Sequence, residues 1–187
     1  MEFLLKAFGG VARTILNVYL LIVGGGQKEH EEELKLAASA LHLDDRIRFT
    51  GMVSKDRLPS YLAMGDIFVT ASVTEVHPFS VIEAMAAGLP IVGIHSPGIS
   101  DSITDGVSGL LSIEDMASYT AKLMYLCLNK NLQKEFGAEA RKASKQFSIE
   151  RTTKLMLGHY SRLIQNTKPI KQKLDERLMS ILEEFLK

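Results

Sequence analysis

Two glutamates, Glu75 and Glu83, stand eight positions apart in the stretch TEVHPFSVIEAMAAGLPIV, residues 74–92. His77, Pro78, Phe79 and Ser80 lie between them. The segment from Ser80 opens a helix: Ser80-Val81-Ile82-Glu83 has the S-x-x-E form of a capping box. In that role Ser80 caps the helix and Glu83 reaches back to the Ser80 N–H, and no ligand is needed. The same helix start also offers free backbone N–H groups, which attract phosphate. Two carboxylates repel a phosphate, so on a shared ligand they must meet its uncharged parts. Hydroxyls fit best, because a carboxylate accepts hydrogen bonds from two of them. A ligand with a diphosphate in its middle and polyols at each end is a nucleotide sugar.

The elements around these residues set their position. The apolar run VYLLIVGGG, residues 18–26, reads as a strand buried on both faces, then a tight loop. Residues 46–53, 67–73, 90–96 and 110–113 read as further strands. Helical spacing runs from Phe3 to Leu16 and over 28–41, 54–65, 114–129, 131–146 and 149–164. Ser54 and Ser148 are the expected N-caps of two of these helices; Arg151 stands where a capping-box acid would follow Ser148. Residues 97–109 read as a loop rich in Gly, Ser and Asp. Strands alternating with helices predict a parallel sheet covered on both faces. In such sheets ligands bind beyond the carboxyl ends of the strands, where His77 to Ser80 would lie.

Composition narrows the function. The 187 residues are 46% hydrophobic and 24% charged, ordinary for a globular domain. Lys+Arg and Asp+Glu both number 22, so there is no basic footprint for a nucleic-acid partner. The single cysteine, Cys127, sits in an apolar helical pattern and reads as a core residue. Without a disulfide framework or metal-type spacing, a reducing, cytoplasmic setting is expected, and no metal. No apolar run reaches membrane-span length. Residues 165–187 form a polar linker and a terminal amphipathic helix with a stripe of Leu174, Leu178, Ile181, Leu182 and Phe185. Lys168, Lys171 and Lys173 would suit a peripheral contact with the inner face of a membrane. Asp175, Glu176, Glu183 and Glu184 oppose it and favour a docked helix.

The wording E-V-H-P-F-S-V-I-E-A-M-A-A-G-L-P-I-V resembles the E-x7-E signature of family-4 retaining glycosyltransferases of the GT-B fold. VYLLIVGGG, RIRFTGMVSKDRLPSYLAMGDIFVTAS and SPGISDSITDGVSGLL resemble that family's C-terminal, nucleotide-sugar-binding domain, in the same order. The likeness covers residues 1–164. It implies a Rossmann-like half of a GT-B fold, a UDP- or GDP-sugar donor substrate, no cofactor, and retaining transfer of a hexose to an acceptor such as a glycolipid or polysaccharide. By resemblance Glu75 is the catalytic residue beside the transferred sugar, and Glu83 binds the ribose hydroxyls. His77, Pro78, Phe79 and Ser80 contact diphosphate and sugar. Met52 and Val53 lie near the base, and Gly25, Gly26 and Gly98 line the cleft.

The sequence departs from that pattern twice. Val76-His77-Pro78 replaces G-F-G, so Pro78 removes one backbone donor. His77 is either a side-chain donor in its place or an exposed loop residue. The resemblance also expects a first strand in the middle of the sheet, a segment carrying the diphosphate Arg and Lys, and an N-terminal acceptor domain or a partner chain in its stead. The expectation is an incomplete enzyme, or a non-catalytic nucleotide-binding module that kept the cleft.

Overall fold

The computed structural model describes residues 1–167 and 170–185, with the side chains of 170–176 and 185 outside that description. It divides into two compact units, Met1–Lys145 and Gln146–Lys187.

In the first unit the order is α1 (Glu2–Thr14), β1 (Leu20–Ile22), α2 (Lys28–Ala40), β2 (Ile47–Phe49), α3 (Leu58–Met64), β3 (Phe68–Val69), α4 (Phe79–Ala87), β4 (Ile91–Ile94), α5 (Pro97–Ser102), β5 (Gly109–Ser112), α6 (Met116–Leu128) and α7 (Lys130–Ser144). All strand pairs are parallel, but they form two sheets: β1–β2, and β3–β4–β5. The expected single sheet is therefore split, which leaves β1 and β3 with an unpaired edge in addition to β2 and β5.

Burial follows this split. β4 has a neighbour on each side and every residue of it is buried. Its side chains alternate between two cores, as strand geometry requires. Val92 and Ile94 join Leu4, Ala7 and Val11 of α1 and Tyr119, Leu123 and Leu126 of α6. Ile91 joins Val81, Ala84 and Met85 of α4 and Ala140 of α7 on the other face. A third core gathers Leu5 and Phe8 of α1 with Leu20 of β1, Ile47 of β2 and Leu34 and Ala38 of α2. Thus α1 spans both sheets: one stripe covers β1–β2, the next covers β3–β5. The strands are shorter than the sequence predicts: 18–23 gives β1, 46–53 gives β2, 67–73 gives β3 and 90–96 gives β4, each trimmed at both ends. Leu21 and Ile22 of β1, and both residues of β3, are only half-buried, which corrects the expectation of a first strand covered on both faces.

Two local expectations also change. The 97–109 loop contains α5, whose start carries Ser96 at the N-cap and Pro97 at the first helical position. Ser54 does precede a 3-10 turn at Lys55–Arg57, but its side chain makes no cap hydrogen bond.

In the second unit α8 (Ile149–Asn166) is capped by Ser148, whose hydroxyl accepts the Arg151 N–H at 3.3 Å. α9 spans Ile170–Phe185. Lys168, and the side chains of Lys171, Lys173, Leu174, Asp175, Glu176 and Phe185, lie outside the described residues. Among the described residues no helix is long and apolar enough to cross a membrane.

Candidate functional site

Residues 71–78 leave the carboxyl end of β3 and feed α4. Helix α4 starts at Phe79, with Pro78 as the N-cap. Pro78 is buried, and its carbonyl accepts the N–H groups of Val81 at 3.0 Å and Ile82 at 3.1 Å. The expected capping box is therefore not formed. The helix begins before Ser80 because the proline ring presets φ at −78° and its carbonyl takes the first helical bonds. Ser80 sits inside the first turn, and no side-chain cap bond is present. Glu83 is exposed and has no hydrogen bond or ion pair among the described residues, so capping does not occupy it. The N–H that Pro78 lacks lies outside the helix; the first free helical donors are those of Phe79 and Ser80.

At its other end α4 stops at Gly88, with φ at +85°, a conformation that suits a residue without Cβ. Arg141 of α7 closes that end, donating from Nη2 to the Ala87 carbonyl at 2.6 Å. A cation at a helix C-terminus also opposes the helix dipole favourably.

Glu75 is exposed and accepts the Ser72 hydroxyl on Oε1 at 3.1 Å. Gly98, in the first turn of α5, donates its N–H to the Glu75 carbonyl at 3.1 Å. The approach is closer than any side chain allows: a Cβ on Gly98 would lie 2.1 Å from that carbonyl oxygen. Glu75, Gly98 and the open end of α4 are thus gathered at the carboxyl ends of β3 and β4. His77 stacks edge-on against Phe79, ring centres 5.0 Å apart at 89°.

A second group forms at the carboxyl ends of β1 and β2. Gly24 bridges to Gly51, and its N–H donates to the Thr50 hydroxyl at 3.3 Å. Gly25 packs on Met52, whose backbone nitrogen and Cγ each lie 3.1 Å from where a Cβ would be. Val53 is half-buried, and Gly26 faces open space. Large apolar side chains are exposed in both groups: Met52 is 83% exposed, Val76 88% and Phe79 70%.

Sequence reasoning passed over Ser72 and Tyr119. Ser72 had a faint signal, a hydroxyl three residues before a carboxylate. Tyr119 had none, because its partners are 49 and 27 residues away: its hydroxyl lies 3.0 Å from the Thr70 carbonyl and 3.3 Å from that of Val92. Burial pushes the Tyr119 phenol well above its ordinary pKa, and the bond to Thr70 offsets this only in part. Burial likewise raises the Cys127 thiol, with Lys130 pulling it down and Asp66 up. Among the described residues no group of three His, Cys, Asp or Glu side chains could hold a metal ion.

The pattern of the family described as glycosyl transferases group 1 matches residues 1–143. The chain belongs to that family. A group 1 relative in Haemophilus influenzae, an uncharacterized glycosyltransferase, is 32% identical over 152 residues, 80% of this chain and 42% of its own length. The N-acetyl-alpha-D-glucosaminyl L-malate synthase of Bacillus anthracis is 31% identical over 148 residues, 78% of this chain and 38% of its own. This group 1 chain therefore spans less than half the length of these relatives. Among solved structures, Anabaena HepE in complex with UDP and glucose is similar with a TM-score of 0.78 at 21% identity, over 87% of this chain and 45% of that one. The sucrose-phosphate synthase of Thermosynechococcus elongatus is similar with the same TM-score at 20% identity, over 87% of this chain and 43% of that one. The fold is α/β, with parallel sheets flanked by helices, as in the Rossmann-like half of a GT-B glycosyltransferase.

Proposed function

We propose that the chain is the donor-binding half of a retaining, family-4-type glycosyltransferase. It holds a UDP- or GDP-linked hexose, which passes to a glycolipid or polysaccharide acceptor without a cofactor or metal. One observation carries the reading: Gly98 closes on the Glu75 carbonyl, so the Glu75 loop, α5 and the open end of α4 converge at strand ends. In this arrangement the Phe79 and Ser80 N–H groups meet the diphosphate at the positive end of α4. As the sugar–phosphate bond breaks, charge grows on the leaving diphosphate and these fixed donors stabilise it, with His77 as a further donor. Glu83, four residues into the helix and free of capping, accepts the ribose hydroxyls. Glu75, steadied by Ser72, stands beside the sugar ring. Gly25, Gly26, Met52 and Val53 border the base.

The two sheets support incompleteness. The observed orders, β2–β1 and β3–β4–β5, become the doubly wound order 3-2-1-4-5-6 when one strand ahead of α1 fills the seam. Helix α1, spanning both sheets, is then the right-handed crossover from that strand to β1. With the acceptor-binding half on the rest of the protein or on a partner chain, the isolated chain transfers little or no sugar. The setting is cytoplasmic; contact with the inner face of a membrane is the lesser alternative for residues 165–187, whose acids Glu183 and Glu184 oppose it.

A second reading is a nucleotide-binding module without chemistry. It is favoured by one fact: neither Glu75 nor Glu83 has an ion pair with Lys or Arg among the described residues. Calorimetric titration with UDP, UDP-glucose, GDP and GDP-mannose separates the two. Binding that depends on the sugar supports the transferase. Tight UDP binding indifferent to the sugar supports the module, and no nucleotide binding after the seam strand is restored defeats both.

A further inference from the structure

The β3–β4 ladder stops early, and the residue at its end explains why. Phe68 N–H donates to Pro90 O at 2.9 Å and Thr70 N–H to Val92 O at 2.9 Å. In a parallel ladder the next bond runs from the Ile94 N–H to the Thr70 carbonyl, because residues 92 and 94 face β3 while His95 faces β5. That bond is not present among the described residues. The Thr70 carbonyl instead accepts the Tyr119 hydroxyl at 3.0 Å, and the Val92 carbonyl lies 3.3 Å from the same oxygen. Tyr119 is fully buried, and its ring is held edge-on by Phe3 of α1, centres 5.4 Å apart at 83°. Its hydroxyl thus occupies the carbonyl that the next ladder bond would use.

We infer that Tyr119 is a positioning residue for the sugar side of the donor site. Its hydroxyl replaces the Ile94 N–H as partner of the Thr70 carbonyl, ends β3 at Val69, and sets the direction in which residues 71–75 leave the sheet. Ser72 and Glu75 lie two and five residues beyond that carbonyl, so the angle at Thr70, together with the Gly98 contact, places the Glu75 carboxylate. The α4 donors and Glu83 are held separately, by the Pro78 carbonyl at one end and Arg141 at the other. The Tyr119 contact therefore bears on the sugar and leaves the nucleotide alone. Its functional part rests on the donor-site reading above; its structural part does not.

Tyr119→Phe removes the hydroxyl and keeps the ring. The Thr70 carbonyl then takes the Ile94 N–H, and the ladder grows by one bond. Amide exchange followed by NMR on the full chain reads this directly: Ile94 N–H slows by about tenfold or more relative to its neighbours, although the variant is less stable overall. A Tyr119 that only fills space predicts the reverse, with Ile94 exchanging as fast as before or faster, and that result overturns the inference. The functional measurement is calorimetric, with UDP and UDP-glucose as probes. UDP affinity stays within about twofold of the parent, while any gain the glucose gives is lost. A variant that weakens UDP and UDP-glucose equally also overturns it. If the parent binds neither probe while Ile94 still slows in the variant, the donor reading fails and the ladder assignment stands.

Discussion

Gly98→Ala tests the contact on which the site depends. The new Cβ would stand 2.1 Å from the Glu75 carbonyl oxygen, 2.6 Å from its carbon and 3.0 Å from the carbonyl carbon of Val76. Ordinary contact begins near 3.4 Å, so the 75–76 backbone must retreat by about 1.3 Å. Neither side can yield cheaply, because Gly98 is buried and all three opposing atoms are backbone. The Gly98 N–H to Glu75 O bond breaks in the process. Overpacking costs about 1–3 kcal/mol and the bond about 1 kcal/mol more. Urea unfolding followed by circular dichroism should therefore record a loss of about 2–4 kcal/mol. A displacement of this size at a reacting group costs on the order of a hundredfold in rate. In the proposed transferase, with an acceptor half present, turnover should fall by that order while UDP still binds. A variant as stable as the parent, or one with unchanged turnover, would refute the claim that this contact sets the Glu75 loop.

Three further outcomes follow from the same geometry. Glu83→Gln should leave stability within about 0.5 kcal/mol, since no capping bond is lost, yet weaken UDP binding by about ten- to a hundredfold, the worth of a charged hydrogen bond; a variant that binds UDP as the parent does removes Glu83 from the site. The pH dependence of stability should carry the mark of Tyr119. Its folded pKa is raised above the ordinary 10.0, so the unfolded chain loses that proton first, and stability falls as pH rises past about 10, by up to about 1.4 kcal/mol per pH unit. Urea titrations at pH 9 to 11 should show a steeper fall in the parent than in Tyr119→Phe, which keeps the part due to the raised Cys127 thiol, and equal slopes would contradict it. Finally, with Leu20, Ile22, Phe68 and Thr70 turned toward their ladder partners, the Leu21 and Val69 amides face the seam. They should exchange quickly in this chain and slow when a strand of about five valine and isoleucine residues is fused ahead of α1, but not when that strand carries prolines. Slow exchange of both amides in the unmodified chain would mean the seam is already closed.

The order of elements was legible because each buried strand is a short apolar run and each helix shows its stripe. Strand lengths were not, since length in a sheet depends on neighbours. Residues 18–26 and 67–73 are as apolar as 90–96, but only β4 has a partner on both sides. The Ser80 capping box was a false signal because Pro78 starts the helix earlier than the serine. Ser96-Pro97 was a true helix-start signal hidden in a glycine- and serine-rich stretch. Glu75 and Glu83 stood out by spacing, and resemblance gave them roles. The contact of Gly98 with Glu75 spans 23 residues and that of Tyr119 with Thr70 spans 49, and no local pattern encodes either.

The two open ladder edges matter for the life of the chain outside the test tube as well. β1 and β3 expose backbone donors and acceptors flanked by Leu21, Val23, Val69 and Ala71, none of them charged and none a proline. Such an edge recruits any extended apolar segment, including one from a second newly made copy. Solubility of this chain should then fall steeply with concentration, and the associated copies would be drawn into chaperone or protease traffic. The edge that could take a further strand is thus also a surface through which copies of this chain can meet.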